Sequence, residues 1–238
     1  MTTELLFRDE PYGTRFEARV LEVDDEGGVV LDRTLFYPRG GGQPGDAGTL
    51  QLDNGTTCTV TDTVKGEAGT VFHRLGDNDA GPQPGAIVRG EIDWSLRYPR
   101  MRMHTCMHLL SVAVPAPVTG GALSEVRGRL DFDLPESTLD REEVEAALND
   151  LIARDDPVTT EWITAEELAA RPELVKTMSV KPPLDAGPVR LVRIGDIDLQ
   201  PCGGTHIART GEIGRVRVAK IEKKSRHNRR VNIVFNDD

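Results

Sequence analysis

The sequence predicts an α+β chain, on three observations. Residues 4–90 read as short strands punctuated by Gly and Asp turns, an apolar period of helical spacing sets in from Asp93, and helices and strands then intersperse to the C-terminus. A small N-terminal β-barrel over 1–92 is therefore expected, followed over 93–238 by a domain of mixed helices and strands.

The bulk properties bound the class of protein. A chain of 238 residues, 38% of them hydrophobic, is long enough to bury a sizeable core in one large or two modest domains. Met1 to Glu10 lacks the basic start and apolar centre of a signal peptide, and no apolar run reaches membrane length, so a cytoplasmic location without a membrane partner is expected. Three cysteines, Cys58, Cys106 and Cys202, cannot all pair, which leaves metal binding or packing as their uses. The net charge of -10 argues on its face against a nucleic-acid partner. The acidic residues are scattered, however, and Arg greatly exceeds Lys, a pattern that suits solubility in high salt. At ~1 M salt the screening length is about 3 Å, so such a surface repels a polyanion only weakly and charge does not decide the partner.

In the N-terminal half, strands are expected at Phe16 to Val23, Gly28 to Asp32, Thr56 to Thr61, Thr70 to Leu75 and Ala86 to Ile92, with the turn-rich segment Gly76 to Gly85 before the last. The domain boundary is expected just after Ile92. Phe36-Tyr37-Pro38-Arg39-Gly40-Gly41-Gly42-Gln43-Pro44-Gly45 is the most unusual run. Three consecutive glycines carry an entropic penalty, and such loops serve either close backbone approach to a ligand or a tight hairpin turn. It is neither a Walker loop nor a dinucleotide fingerprint. Both readings stay open.

From Asp93 a helix is expected, with Pro99 where a helix can begin and Pro115 and Pro117 where it stops. Thr119-Gly120-Gly121 reads as a Gly-rich connection and Leu130 to Leu134 as a strand. Ser137 or Thr138 is expected to cap a helix from Asp140 to Ala153, whose Leu139, Val144, Ala147, Leu148, Leu151 and Ile152 form an apolar stripe. Pro157 to Ile163 reads as a strand, Ala165 to Ala170 as a short helix, Val189 to Ile194 as a strand, and Gly214 to Ile221 with Arg230 to Phe235 as a β pair. Lys220, Lys223, Lys224, Arg226, Arg229 and Arg230 form the one basic cluster, which serves either as a solvated hairpin tip or, against the acidic background, as a phosphate contact.

Two motifs about a hundred residues apart point to one metal site: His104-Thr105-Cys106-Met107-His108 and Cys202-Gly203-Gly204-Thr205-His206. Histidines at i and i+4 lie one turn apart on the same face of a helix, the spacing a tetrahedral metal needs. Alone that pattern is weak. A second cluster with a thiolate and an imidazole raises it to a zinc site with His104, His108, Cys202 and His206 as ligands. Cys106 is turned about 200° from His104 and is expected to pack.

His104-Thr105-x-x-His108-Leu109-Leu110, Cys202-Gly203-Gly204-Thr205-His206 and the upstream Gly40-Gly41-Gly42-Gln43-Pro44 loop resemble the alanyl-tRNA editing proteins of the AlaX family and the editing domain within alanyl-tRNA synthetase. The likeness covers nearly the whole chain, and Leu130 to Asp133 and Gly211 to Gly214 look like further landmarks. It implies an N-terminal barrel carrying the glycine motif, joined to an α/β editing domain with helices on an antiparallel sheet. It also implies a freestanding, ATP-independent, zinc-dependent hydrolase that removes serine, and perhaps glycine, from the acceptor end of mischarged tRNA(Ala). A pocket shaped for alanine rejects glycine or serine by only ~1–3 kcal/mol, which is why a second, correcting site is needed. By the resemblance Thr34 distinguishes serine from alanine, Gly40, Gly41 and Gly42 approach the substrate, Gln43 orients the ester or water, Cys202 is both ligand and catalytic residue, and Arg230 contacts the substrate. Without the resemblance Thr34 is an ordinary strand residue. A monomer is favoured. Two other readings remain: a zinc-stabilised tRNA-binding module without catalysis, and a metallo-esterase acting on small molecules.

Overall fold

The computed structural model describes residues 2–77, 81–135, 139–176 and 187–236. The chain divides into two compact units, Met1–Tyr98 and Pro99–Asp238.

The first unit is built on strands β1 (Glu4–Leu5), β2 (Arg15–Val23), β3 (Val29–Leu31), β4 (Arg33–Thr34), β5 (Gly48–Leu52), β6 (Thr57–Lys65), β7 (Val71–Leu75) and β8 (Ile87–Ile92). Six of them close a barrel in the order β2-β3-β7-β6-β5-β8, while β1 and β4 form a short parallel pair. Closure leaves no unpaired edge to aggregate. Alternation along the strands sends Ala18, Val20, Leu50, Val60 and Val88 inward, where they meet Val29, Leu31 and Phe36. The expected barrel forms, with strand ends shifted by a few residues, but it includes a strand that the sequence did not predict, β5, and the short pair of β1 and β4 was not predicted either.

A buried ion pair ties the loop after β4 to the end of this unit. Arg97 and Asp46 are 0% and 1% exposed. The guanidinium donates from Nε to Asp46 Oδ2 at 2.8 Å and again from Nη2, and Nη1 reaches the Pro11 carbonyl at 3.2 Å. Asp46 Oδ2 also accepts from the Tyr37 amide at 2.7 Å, and the Asp46 amide donates to the Tyr37 carbonyl at 2.9 Å. One carboxylate therefore closes the loop that carries the glycine run.

The second unit begins inside helix α1 (Trp94–Ala113). Asp93 caps that helix by accepting from the Ser95 amide at 3.0 Å. Pro99 lies in the second turn, not at the start as the sequence suggested. It offers no N–H to the Ser95 carbonyl, a loss of about 3 kcal/mol in a helix interior, and burial offsets it: Met101, Met103, Thr105, Cys106, Leu109 and Leu110 are fully buried.

Strands β9 (Val118–Leu123), β10 (Arg127–Asp133), β14 (Val216–Lys223) and β15 (Asn228–Phe235) form a four-stranded antiparallel sheet in the order β14-β15-β10-β9. Strands β11 (Val158–Ile163), β12 (Val189–Ile194) and β13 (Asp198–Pro201) form a separate antiparallel sheet of three. The single antiparallel sheet implied by the resemblance is thus two sheets. The run at Thr119 to Gly121 is also a strand, not a connection. Gly120 pairs with Asp131 and Gly121 with Leu130, and a Cβ on Gly121 would sit 2.8 Å from Leu130 Cδ2, so the missing side chain is what admits the leucine.

Helix α2 (Arg141–Ala153) is capped by Asp140, whose carboxylate accepts from the Glu142 and Glu143 amides at 2.8 and 3.0 Å. The expected caps Ser137 and Thr138 lie outside the described residues. Asn149 exchanges hydrogen bonds with both backbone groups of Val216, which covers the edge strand β14. Helix α3 (Ala165–Ala169) starts with a capping box between Thr164 and Glu167 and buries Leu168 with Leu174, Val189 and Leu191.

Breaking a buried pair strands the remaining charge, so Arg97→Met is expected to lower the unfolding free energy by about 3–5 kcal/mol in urea denaturation. A loss under about 1 kcal/mol would show that the pair does not hold the loop.

Candidate metal centre

The two motifs meet within the second unit. One donor atom from each of His104, His108, Cys202 and His206 lies within 4.8 Å of all the others. α1 supplies the first two at one face, with ring centroids 5.5 Å apart. The turn that leaves β13 supplies the others, and His206 packs 4.4 Å from His104 and 4.8 Å from His108 between centroids. Cys202 Sγ stands 3.6 Å from His104 Nε2 and 3.2 Å from His206 Nε2. Around a tetrahedral metal with the usual bond lengths an S···N edge is about 3.5 Å, so the spacing of these atoms fits an ion. The three imidazoles are at least nine-tenths buried and Cys202 is half-buried.

The turn is shaped by Arg190 on β12. Its Nη1 donates to the Cys202 carbonyl at 2.9 Å and to the Gly204 carbonyl at 3.0 Å, while the Cys202 amide donates to the Arg190 carbonyl at 3.1 Å. The Gly204 amide points at Cys202 Sγ, 3.4 Å away, and thereby stabilises negative charge on sulfur. Burial alone would raise the Cys202 thiol, yet His104 and His206 beside it bring it well below the usual thiol range. Burial pushes His206 down to about 3. His108 moves the other way, up to about 9: burial works against its charge, but the carboxylate of Asp198 outweighs it. His108 Nδ1 is 3.0 Å from Asp198 Oδ2, which also accepts from Gln200 at 2.8 Å, and Lys176 Nζ holds Oδ1 at 2.6 Å. Burial raises Asp198, and these partners nevertheless bring it down to about 2.

Cys106 is fully buried, lies outside the donor group, and is pushed up to about 12 by burial. The other sequence-predicted residues lie elsewhere. Arg230 grips both oxygens of Asp131, at 2.6 and 2.8 Å. Lys220 pairs with Glu222 at 3.1 Å.

In the first unit, Gly40 and Gln43 exchange backbone hydrogen bonds at 3.1 and 3.0 Å, and Gly41 and Gly42 sit at φ 58° and 82°. Two central residues at positive φ make this a two-residue hairpin turn that nearly demands glycine. Around Gly41 a Cβ would meet nothing within 4 Å, whereas Gln43 is 2% exposed. Thr34 is fully buried, with its Oγ1 2.8 Å from His73 Nε2. His73 Nδ1 lies 2.8 Å from the Val29 carbonyl, which only accepts, so Nδ1 carries the hydrogen and Thr34 donates to Nε2. The Thr34 hydroxyl in turn accepts from the Phe36 amide at 3.0 Å.

Sequence reasoning missed Asp198, Thr105, Lys176, Gln200 and Arg190. Thr105 and Asp198 carried a faint signal, one inside the first motif and one four residues before the second.

Family models match two stretches: that of the threonyl and alanyl tRNA synthetase second additional domain over residues 189–232, and that of class II (A) tRNA synthetases over residues 8–96. Alanyl-tRNA editing protein AlaX-M of Methanosarcina barkeri is 36% identical over 238 residues, which is 96% of this chain and 97% of that protein. AlaX-M of Saccharolobus solfataricus is 34% identical over 97% of this chain and 98% of its own length. An alanine–tRNA ligase of Halorubrum lacusprofundi is 40% identical over 92% of this chain, which spans 24% of that enzyme. No helix among the described residues is long and apolar enough to cross a membrane.

Burial lowers His73 to about 4 from an ordinary 6.5. The unfolded chain then binds more protons between these values, so stability is full above about pH 6.5 and falls as pH drops toward 4. A shift of about 2.5 units corresponds to roughly 3 kcal/mol. Urea denaturation of the wild type and of His73→Gln across this window is expected to show the steeper loss in the wild type; parallel curves would show that His73 is not buried neutral.

Proposed function

The chain belongs to the alanyl-tRNA editing family, and from that premise we propose that it is a trans-editing deacylase. It hydrolyses the ester of serine, and of glycine, wrongly carried on tRNA(Ala). The observation that carries this reading is the buried cluster of three imidazoles and one thiolate, brought together from His104-Thr105-x-x-His108 and Cys202-Gly203-Gly204-Thr205-His206. Its donor set suits zinc, the common metal for mixed His and Cys ligation. When bound, zinc would supply Lewis acidity toward the ester carbonyl or toward a water.

Each protein group has a definite share in the proposal. His104, His108 and His206 would hold the ion through ring nitrogens. Cys202 would be a ligand first, and since four protein ligands would close a tetrahedral site, its catalytic share would depend on yielding its place to water. Gln43 orients the ester or the water, and Gly40, Gly41 and Gly42 present backbone to the aminoacyl end. Thr34 enters in a narrower form than the sequence suggested. Its hydrogen is given to His73, so it recognises serine only by accepting the substrate hydroxyl's hydrogen, which alanine lacks. Arg230, held in place by Asp131, is the substrate contact on the hairpin in this reading. The partner is the acceptor end of tRNA(Ala).

The closed donor set favours one other reading, a purely structural metal in a tRNA-binding module. Deacylation assays with Ser-, Gly- and Ala-charged tRNA(Ala), with and without a chelator, separate the two. Rapid loss of serine, retention of alanine and inhibition by the chelator are expected. Hydrolysis of all three alike, or of none by a folded, zinc-loaded protein, would sink the editing reading. Gln43→Ala is expected to lower kcat/KM for Ser-tRNA(Ala) about a hundredfold with zinc content unchanged, as loss of one positioned hydrogen-bonding group does at a reacting ester.

A further inference from the structure

Three imidazoles can hold a metal through Nε2 only if each keeps its ring hydrogen on Nδ1, and a neutral imidazole in water divides that hydrogen between its two nitrogens. The protein must therefore choose. Around two of the three rings it does so with different chemistry.

His206 Nδ1 lies 3.1 Å from the hydroxyl of Thr105, and the same hydroxyl lies 3.0 Å from the carbonyl of Met101 one turn back on α1. A carbonyl cannot donate, so the Thr105 hydrogen goes to Met101 and the oxygen is left to accept. His206 must then be the donor, with its hydrogen on Nδ1 and its Nε2 lone pair on the side of Cys202 Sγ. Thr105 is fully buried. His108 Nδ1 faces the carboxylate of Asp198, an acceptor of full charge that is itself held by Lys176 and Gln200. Gln200 is tied back to α1 through Ser111 Oγ at 3.2 Å, and Ser111 donates to the His108 carbonyl at 2.7 Å.

We propose that Thr105 and Asp198 are the positioning residues of the metal centre, each fixing one histidine as an Nδ1–H, Nε2-donor ligand. The inference rests on the metal reading above but not on the substrate. It also makes the two histidines unequal. His108, hydrogen-bonded to a carboxylate, is the more basic donor, and His206, hydrogen-bonded to a neutral hydroxyl, the weaker one. Thr105 has a second consequence: the residue between the two helical ligands reaches the opposite motif, so α1 supplies two ligands and orients a third.

The test is zinc affinity of the full chain, measured by competition with a chromogenic chelator, together with the thiolate-to-cobalt absorption of the Co2+ form. Thr105→Val keeps the shape of the side chain and removes the hydroxyl, and Thr105→Ser keeps the hydroxyl and removes the methyl. Thr105→Val is expected to weaken zinc binding about ten- to a hundredfold, the usual cost of losing such a partner, and to shift the cobalt spectrum, while Thr105→Ser stays within about threefold of the wild type. Wild-type affinity in Thr105→Val, or equal weakening in both variants, overturns the role of the hydroxyl. Asp198→Asn provides the second arm, and carries the test if Thr105→Val does not fold. An amide has one accepting atom where Asp198 serves Lys176 on one side and His108 on the other, so a similar ten- to hundredfold loss is expected. Affinity unchanged in Asp198→Asn overturns that half of the proposal. If the wild type itself binds neither zinc nor cobalt, it is the metal reading that fails, and these variants are then uninformative only because the parent claim has been refuted.

Discussion

The rest of the second unit depends on a crowding constraint: four donor atoms with lone pairs or negative charge must converge within a few ångströms inside the protein. Desolvation opposes charge on every one of them, and mutual repulsion opposes their convergence. Two rigid elements answer the first requirement by fixing direction. α1 is buried nearly all round, so His104 and His108 cannot swing out without unpacking Met101, Met103, Leu109 and Leu110. The Cys202 turn is held on Arg190, which satisfies two of its carbonyls from the neighbouring strand. A cation at the centre of the cluster would satisfy the second requirement.

The first unit solves a different problem with a similar device. Its glycine run is a tight turn, and a tight turn alone is mobile. Asp46 and Arg97 anchor it: one carboxylate oxygen collects the Tyr37 amide and two guanidinium donors, and the Tyr37 hydroxyl closes the loop by donating to the Gly40 carbonyl at 2.8 Å. Loop precision here comes from a buried charge pair, which costs desolvation energy and repays it in geometry. The two roles suggested for the glycines, close approach and tight turn, are compatible, since the turn exposes Gly41 while burying Gln43.

What could be read in the sequence was what is local. Histidines four apart, the apolar stripe of α2 and the strand at β10 follow from the helical and pleated periods, and those elements stand as expected. Pro99 misled because the rule for proline at helix starts speaks of average cost, whereas here burial of one helix face after another outweighs it. Gly120 and Gly121 misled because glycine weakens strands in general, and only the facing Leu130 shows why a residue without a side chain is wanted. Asp198 and Thr105 carried only the faint signal of lying in or near the motifs, because their partners are 90 and 101 residues away and local spacing does not record a contact of that range. The motifs named the donor cluster, and the fold names what holds it.

The charge pattern is the last constraint, and it bears on how an acidic chain would handle a polyanionic partner. The basic residues of the β14–β15 hairpin are in part already neutralised, Arg230 by Asp131 and Lys220 by Glu222. The exposed Lys220 pair is worth little to stability, but each of the two pairs removes a cation from the long-range field. With a net charge of -10, attraction at a distance is not available to bring a nucleic acid in. Binding of that partner must then rest on short-range contacts, made after encounter and weakly dependent on salt, because few phosphates would displace counterions onto protein cations. In concentrated salt nothing would be lost by this, since screening removes long-range steering in any case.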